Sequence, residues 1–153
     1  MPSLDTKHLG RISWEPGSEI DFPRGLPGFE DRQRFVAVHF GHTDPLIFLQ
    51  SLEDSALCFT TLPVRAVEPD YRLSIGDEDL VLVGLPKNRQ PRIGEDVHCL
   101  AVLSFKEAAM TANLLAPVAI NLKNLKAVQA VAQEGGYSHQ HVLLAEEKAA
   151  ACS

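Results

Sequence analysis

The chain is 153 residues long, 45% apolar and 22% charged, with 14 basic against 20 acidic side chains and a net charge of −6 at neutral pH. A chain of that length fits one domain able to bury roughly 70% of its unfolded surface, so no metal or disulfide staple is needed to hold a core. The acidic balance disfavours direct binding to RNA or DNA, which takes clustered Lys and Arg against the phosphates, and leaves room for a basic protein partner.

Residues 1–9 carry no periodic pattern and are expected to be a flexible N-terminus. Ile12 and Trp14 alternate with polar neighbours, Pro16-Gly17 makes a turn, and Ile20 and Phe22 alternate again, which predicts a hairpin. The run IDFPRGLPGFED from Ile20 to Asp31 follows. Pro23 and Pro27 fix their own backbone and push the preceding residues towards extended conformations, while Gly25 and Gly28 allow tight or left-handed turns. Phe22, Leu26 and Phe29 supply apolar anchors, so this is a shaped loop leaving a strand. Short branched and aromatic runs at Phe35–Phe40, Leu46–Ser51 and Leu57–Leu62 read as strands separated by turn formers.

From Pro63 to Gly76 no pattern holds. Asp77-Glu78-Asp79 then precedes a short apolar run, and acids in a first turn favour a short helix near 77–83. Val97–Phe105, Thr111–Leu115, Val118–Leu122, Ala127–Ala132 and a last run near His139–Leu143 read as further strands. Residues 144–153 are expected to be a frayed tail, having helix propensity but little apolar face. About ten short strands with little helix predict an all-β, antiparallel, barrel-like single domain over 10–143.

Catalytic and metal chemistry find little support. Ser51 and Ser55 lack a nucleophile elbow, and Cys58 has no electropositive neighbour to lower its pKa. Cys58 and Cys99 lie in strand-like runs and read as reduced core residues, with Cys152 in the tail. His39 and His42, and His139 and His141, have no acid or Cys at zinc-ligand spacing beside them. They do sustain one alternative, a small-ligand or metal-binding barrel of cupin type with His39 or His139 in a polar cavity. The Gly25–Gly28 loop cannot cradle phosphate, because Pro27 lacks an N–H and Glu30 and Asp31 would repel the ligand. The opening MPSLDTKHLG has no apolar stretch of a secretory signal and no run approaches membrane-span length, so a cytoplasmic protein without membrane contact is expected.

The loop FPRGLPGFE, followed in order by LQS at Leu49–Ser51, EDSALCF at Glu53–Phe59, Pro69-Asp70-Tyr71 and NLLAPVAINLKN at Asn113–Asn124, resembles the flagellar assembly factor family, FliW. Phe22, Gly25, Leu26, Pro27, Gly28, Phe29, Gln50, Ser51, Phe59, Pro69, Tyr71, Asn113, Leu114, Pro117 and Asn121 carry the match. The resemblance implies a small barrel-like domain that is not an enzyme and needs no cofactor. It implies a monomer that binds flagellin in the cytoplasm and, when free of flagellin, binds CsrA, a basic repressor of flagellin mRNA translation. Antagonism of CsrA in such a family is allosteric, so RNA mimicry by the acidic surface need not be invoked.

Partner contacts are expected where turn-held apolar groups meet acids. One such place is the loop carrying Arg24, Leu26, Phe29, Glu30 and Asp31. The other is the segment carrying Glu68, Asp70, Tyr71, Asp77, Glu78 and Asp79.

Overall fold

Short branched runs with turn formers between them fold into an antiparallel β architecture in the computed structural model, which describes residues 1–106 and 108–145. The strands are β1 (Ser3–Thr6), β2 (Gly10–Ser13), β3 (Ile20–Asp21), β4 (Arg34–Val38), β5 (Ile47–Ser51), β6 (Cys58–Pro63), β7 (Val97–Lys106), β8 (Ala109–Ala112), β9 (Val118–Asn121), β10 (Ala127–Gln129) and β11 (His141–Ala145). Two short helices, α1 (Val64–Val67) and α2 (Asp77–Leu82), lie in the connection from β6 to β7.

The main sheet runs β10-β9-β7-β6-β5-β4-β3, with β8 on the outer half of β7 and β11 beyond β8. β7 can serve three neighbours because it is long. Val97–Leu100 face β9, Leu100–Val102 face β6, and Leu103–Lys106 face β8. The strip curls until its ends approach. The Asp21 N–H donates to the Leu125 carbonyl at 3.0 Å, and Asp21 forms a single parallel bridge with Lys126. One bridge is not a ladder, so the sheet is rolled but not closed, and the barrel description holds in that loose sense.

Alternation sorts the core. Ile20, Phe22, Phe35, Leu49, Leu100, Val118 and Ile120 meet inside the roll. The residues between them on β9 and β10, Ala119 and Val128, face the other way and pack under α2 against Leu80 and Val83. Leu80 and Val83 are three apart, the spacing that puts two side chains on one helical face. Helix formation at α2 thus follows from burial on one side and acids in the first turn. A third cluster gathers Val64, Tyr71, Cys99, Leu103 and Leu114 where β7 passes on to β8.

The structure departs from the sequence expectation at the N-terminus. Residues 3–6 are a strand, paired with β2 in register from Ser3↔Ser13 to Thr6↔Gly10. Thr6 closes the turn: its hydroxyl donates to the Gly10 carbonyl at 2.7 Å and accepts the Leu9 N–H at 2.9 Å. The expected hairpin from Ile12 to Phe22 does not form, because β2 pairs backwards and Ile20 pairs with Phe35 instead. α1 also forms inside the stretch from Pro63 to Gly76 that shows no sequence pattern. The last strand includes Leu144 and Ala145, and the remainder of the expected tail, with Cys152, lies outside the described residues. Cys58 and Cys99 are both free, and burial pushes their thiols up, to about 11 and about 12.

Tyr71 ties the third cluster together. It has no exposed surface, stacks on Tyr137 with ring centres 4.3 Å apart, and donates its hydroxyl to the Leu114 carbonyl at 2.7 Å. Tyr71→Phe keeps the ring and deletes the donor, and should cost about 1–3 kcal/mol. Urea unfolding with a lower midpoint and an unchanged slope is the expected result; an unchanged midpoint would show that this bond contributes nothing to stability.

Candidate partner-binding surface

The proline and glycine punctuation of the loop after β3 builds a rigid double turn. Phe22 is buried edge-on against Phe35, with ring centres 5.2 Å apart. Its carbonyl accepts the Gly25 N–H at 2.8 Å, closing the first turn. Gly25 sits at φ +64°, and a Cβ there would stand 2.6 Å from the Glu30 Cα and the Phe29 carbonyl. Nothing larger than glycine fits. The second turn places Pro27 and Gly28 at its centre, with Phe29 N–H to Leu26 carbonyl at 2.7 Å, and the Glu30 carboxylate accepts the Gly28 N–H at 2.6 Å. The result aims Leu26 inward and Phe29 outward, where Phe29 is 38% exposed and rests edge-on against Phe59 at 5.6 Å.

The LQS and EDS segments support this loop from the next turn. Ser51 Oγ accepts the N–H groups of Glu53 and Asp54 at 3.1 and 2.9 Å, and buried Gln50 donates to the Ser51 carbonyl at 3.0 Å. Glu53 then reaches across to accept the N–H groups of Gln33 and Arg34 at 2.6 and 2.9 Å. These two bonds hold its carboxyl below the usual range. Arg32 pairs with Asp31 and lies 3.6 Å from Asp54. Glu19 is held below its ordinary value by the Trp14 indole N–H at 2.9 Å and by Arg34 at 2.7 Å.

The two expected contact segments meet through one long-range pair. Arg24 donates to Asp79 at 2.8 Å, joining the loop to the first turn of α2. Asp77 and Glu78 remain exposed beside it, as do Glu30 and Asp31 on the loop. The surface therefore carries apolar Phe29 among acids, with Asp79 committed to Arg24. Two of the expected contact residues are corrected. Leu26 is 3% exposed and Tyr71 is fully buried, because both complete core clusters and cannot touch a partner while those cores are closed. Glu68 is half-buried and Asp70 exposed, and among the described residues no ion pair ties either to the loop.

Sequence reasoning missed Arg24–Asp79, 55 residues apart, and the turn from Leu52 to Asp54 as a neighbour of the loop. The second was available from strand register. Phe35 faces Ser51, so Gln33 must meet Glu53 two residues further out.

The histidines do not converge. His39 meets Asp44 at 2.8 Å on the exposed surface, and His139 is exposed in the turn before β11. Among the described residues no three His, Cys, Asp or Glu side chains gather as metal ligands would. A groove of about 630 Å³ between the β1–β2 turn and β5–β6 is lined by His8, Leu9, Phe40, His42, Thr43, Phe48, Cys58 and Thr60, and includes neither His39 nor His139. No helix among the described residues is long and apolar enough to cross a membrane.

The carboxylates at positions 19 and 53 make stability depend on pH with a definite sign. Their folded pKa values lie below the unfolded ones, so the stabilisation is present above the ordinary carboxylate range and fades as pH falls through the folded values. The melting temperature should drop between about pH 5 and pH 3, and Glu53→Gln should flatten part of that drop. A Glu53→Gln melting profile parallel to that of the parent chain would remove Glu53 from this account.

Comparison with known proteins adds three findings. The family model described as FliW protein matches residues 3–143. The chain is 32% identical to the flagellar assembly factor FliW of Thermoanaerobacter pseudethanolicus over 95% of each chain, and 33% identical to that of Treponema denticola over 96% of this chain and 97% of the relative. Its fold superposes on a crystal structure of the flagellar assembly factor FliW with a TM-score of 0.80 at 26% identity, covering 95% of this chain and 99% of the other.

Proposed function

This chain belongs to the FliW family, and on that premise we propose that it is a non-catalytic flagellar assembly factor which binds flagellin in the cytoplasm and, when free of flagellin, binds and antagonises CsrA. The observation that supports a basic partner is the joining of the Phe29 loop to α2 through Arg24 and Asp79. It ties the loop that carries Glu30, Asp31 and exposed Phe29 to the helix turn that carries exposed Asp77 and Glu78. Acids around an apolar anchor attract a basic protein from a distance and raise its association rate more than its final affinity.

A switch between two partners needs their binding to be mutually exclusive or negatively coupled. A coupling of about 1–3 kcal/mol, roughly 5–150-fold in affinity, is enough to move a regulatory set point. Flagellin in excess then holds the protein, CsrA stays on its messenger, and export of flagellin reverses the exchange. Cysteines 58 and 99 take no part in this reading, since burial keeps both thiols protonated at neutral pH.

The immobilised chain should retain purified flagellin and purified CsrA singly, and added flagellin should displace CsrA. Retention of neither would end the proposal. Changing Asp77 and Glu78 together to lysine, while leaving Asp79 to hold Arg24, should slow CsrA association roughly threefold to tenfold at low salt, with melting lowered by only a few degrees through the loss of two first-turn acids. An unaltered association rate would take α2 out of the contact surface.

A further inference from the structure

Beyond α2 the chain forms a cleft of about 400 Å³ between the segment Gly84–Asp96 and the turn Asn121–Lys123. Its walls are fixed. Asn121 and Asn124 both donate to the Val83 carbonyl, at 2.8 and 3.1 Å, which caps the exit of α2 and pins it to the β9–β10 turn. Asn121 also accepts the Lys123 N–H at 2.9 Å, and the Leu122 N–H donates to the Asp96 carbonyl at 3.1 Å. On the opposite wall the Asp96 carboxylate accepts Arg89 at 2.8 Å, the Arg92 N–H at 2.8 Å and the Arg92 side chain at 3.2 Å.

The groups that this scaffolding leaves over share one character. Leu122 is 44% exposed although it sits between two asparagines that serve the fold. Lys123 has no ion-pair partner among the described residues, and Arg89 uses a single N–H on Asp96 with half its side chain exposed. Lys87, beside the cleft residue Pro86, is exposed as well. Four cations, at 87, 89, 92 and 123, stand here against the two anions Glu95 and Asp96, on a chain whose net charge is −6. The local balance is opposite to that of the Phe29–α2 surface.

We propose that this cleft is a second docking site, taking an acidic segment of a protein partner that carries an apolar side chain. The carboxylate lies against Lys123 and the free edge of the Arg89 guanidinium. The apolar group lies against Leu122, Leu85 and Pro86. A guanidinium already held on one side by Asp96 is pre-organised, so little side-chain freedom is lost when a second carboxylate arrives. The cleft shares no lining residue with the acidic surface, and neither proposal needs the other.

Nitrogen-15-labelled full-length protein, titrated with a short amidated peptide alternating leucine and glutamate, tests it. Amide shifts should centre on Gly84, Leu85, Leu122 and Lys123 and weaken as salt rises. Lys123→Glu should reduce the affinity about tenfold, and Leu122→Ser severalfold, with the remaining spectrum unchanged. The matching peptide of leucine and lysine should leave these amides unmoved. Absent or scattered shifts, an equal response to the lysine peptide, or an affinity indifferent to Lys123→Glu would overturn the site. So would the same shifts produced by a short RNA, or by raising the protein concentration with no peptide present.

Discussion

Strand β9 is buried on both faces, and the rest of the molecule is arranged around that constraint. Its sequence Val118-Ala119-Ile120-Asn121 has no solvent-facing position. A strand in a rolled sheet can bury one face in the core, but the second face needs a separate cover. α2 supplies it, with Leu80 and Val83 laid on Ala119 and Val128. Once α2 is placed, its acidic first turn meets Arg24, and the Val83 carbonyl just past its end meets Asn121 and Asn124. Both proposed binding surfaces are thus set by where one short helix must lie.

Much of the fold was legible because its signals are local. Branched runs bounded by turn formers marked the strands, and the acids at 77–79 marked α2 before a pattern that strand propensity alone would have read otherwise. The loop after β3 was legible as well, since Pro27-Gly28 admits few turns and Gly25 admits no side chain. The N-terminal hairpin was not. Its strands are four residues each and its turn rests on a threonine hydroxyl, a weaker mark than Pro16-Gly17 further along. Sequence could count acids but could not say which were taken. Asp79 belongs to Arg24, Glu19 to Trp14 and Arg34, and Glu53 to two backbone N–H groups, and each partnership depends on chain folded back from elsewhere.

The residues that carry the family resemblance are mostly scaffold. Phe22, Leu26, Gln50, Ser51, Tyr71, Leu114 and Asn121 are all buried, and each has a structural task described above. This explains why Leu26 and Tyr71, attractive as contacts in the sequence, lie inside. A motif is a good guide to the fold when its members are buried, and a poor guide to a contact surface for the same reason. Of the large apolar side chains in the segments that carry the resemblance, Phe29 on the loop and Leu122 in the β9–β10 turn are exposed and complete none of the three core clusters. Acids follow Phe29 in the chain, at 30 and 31, and a lysine follows Leu122.

The seam between Asp21 and Lys126 bears on the order of assembly. β3 to β6 form a meander whose neighbours in space are neighbours in sequence, and β9 and β10 are joined by one short turn. Such local pairings need little loop closure and are entropically cheap to nucleate. The single bridge at the seam joins residues from opposite ends of the domain and gains only one backbone bond. Topology therefore favours a nascent chain that curls from two separate meanders and zips shut last at β3 and β10.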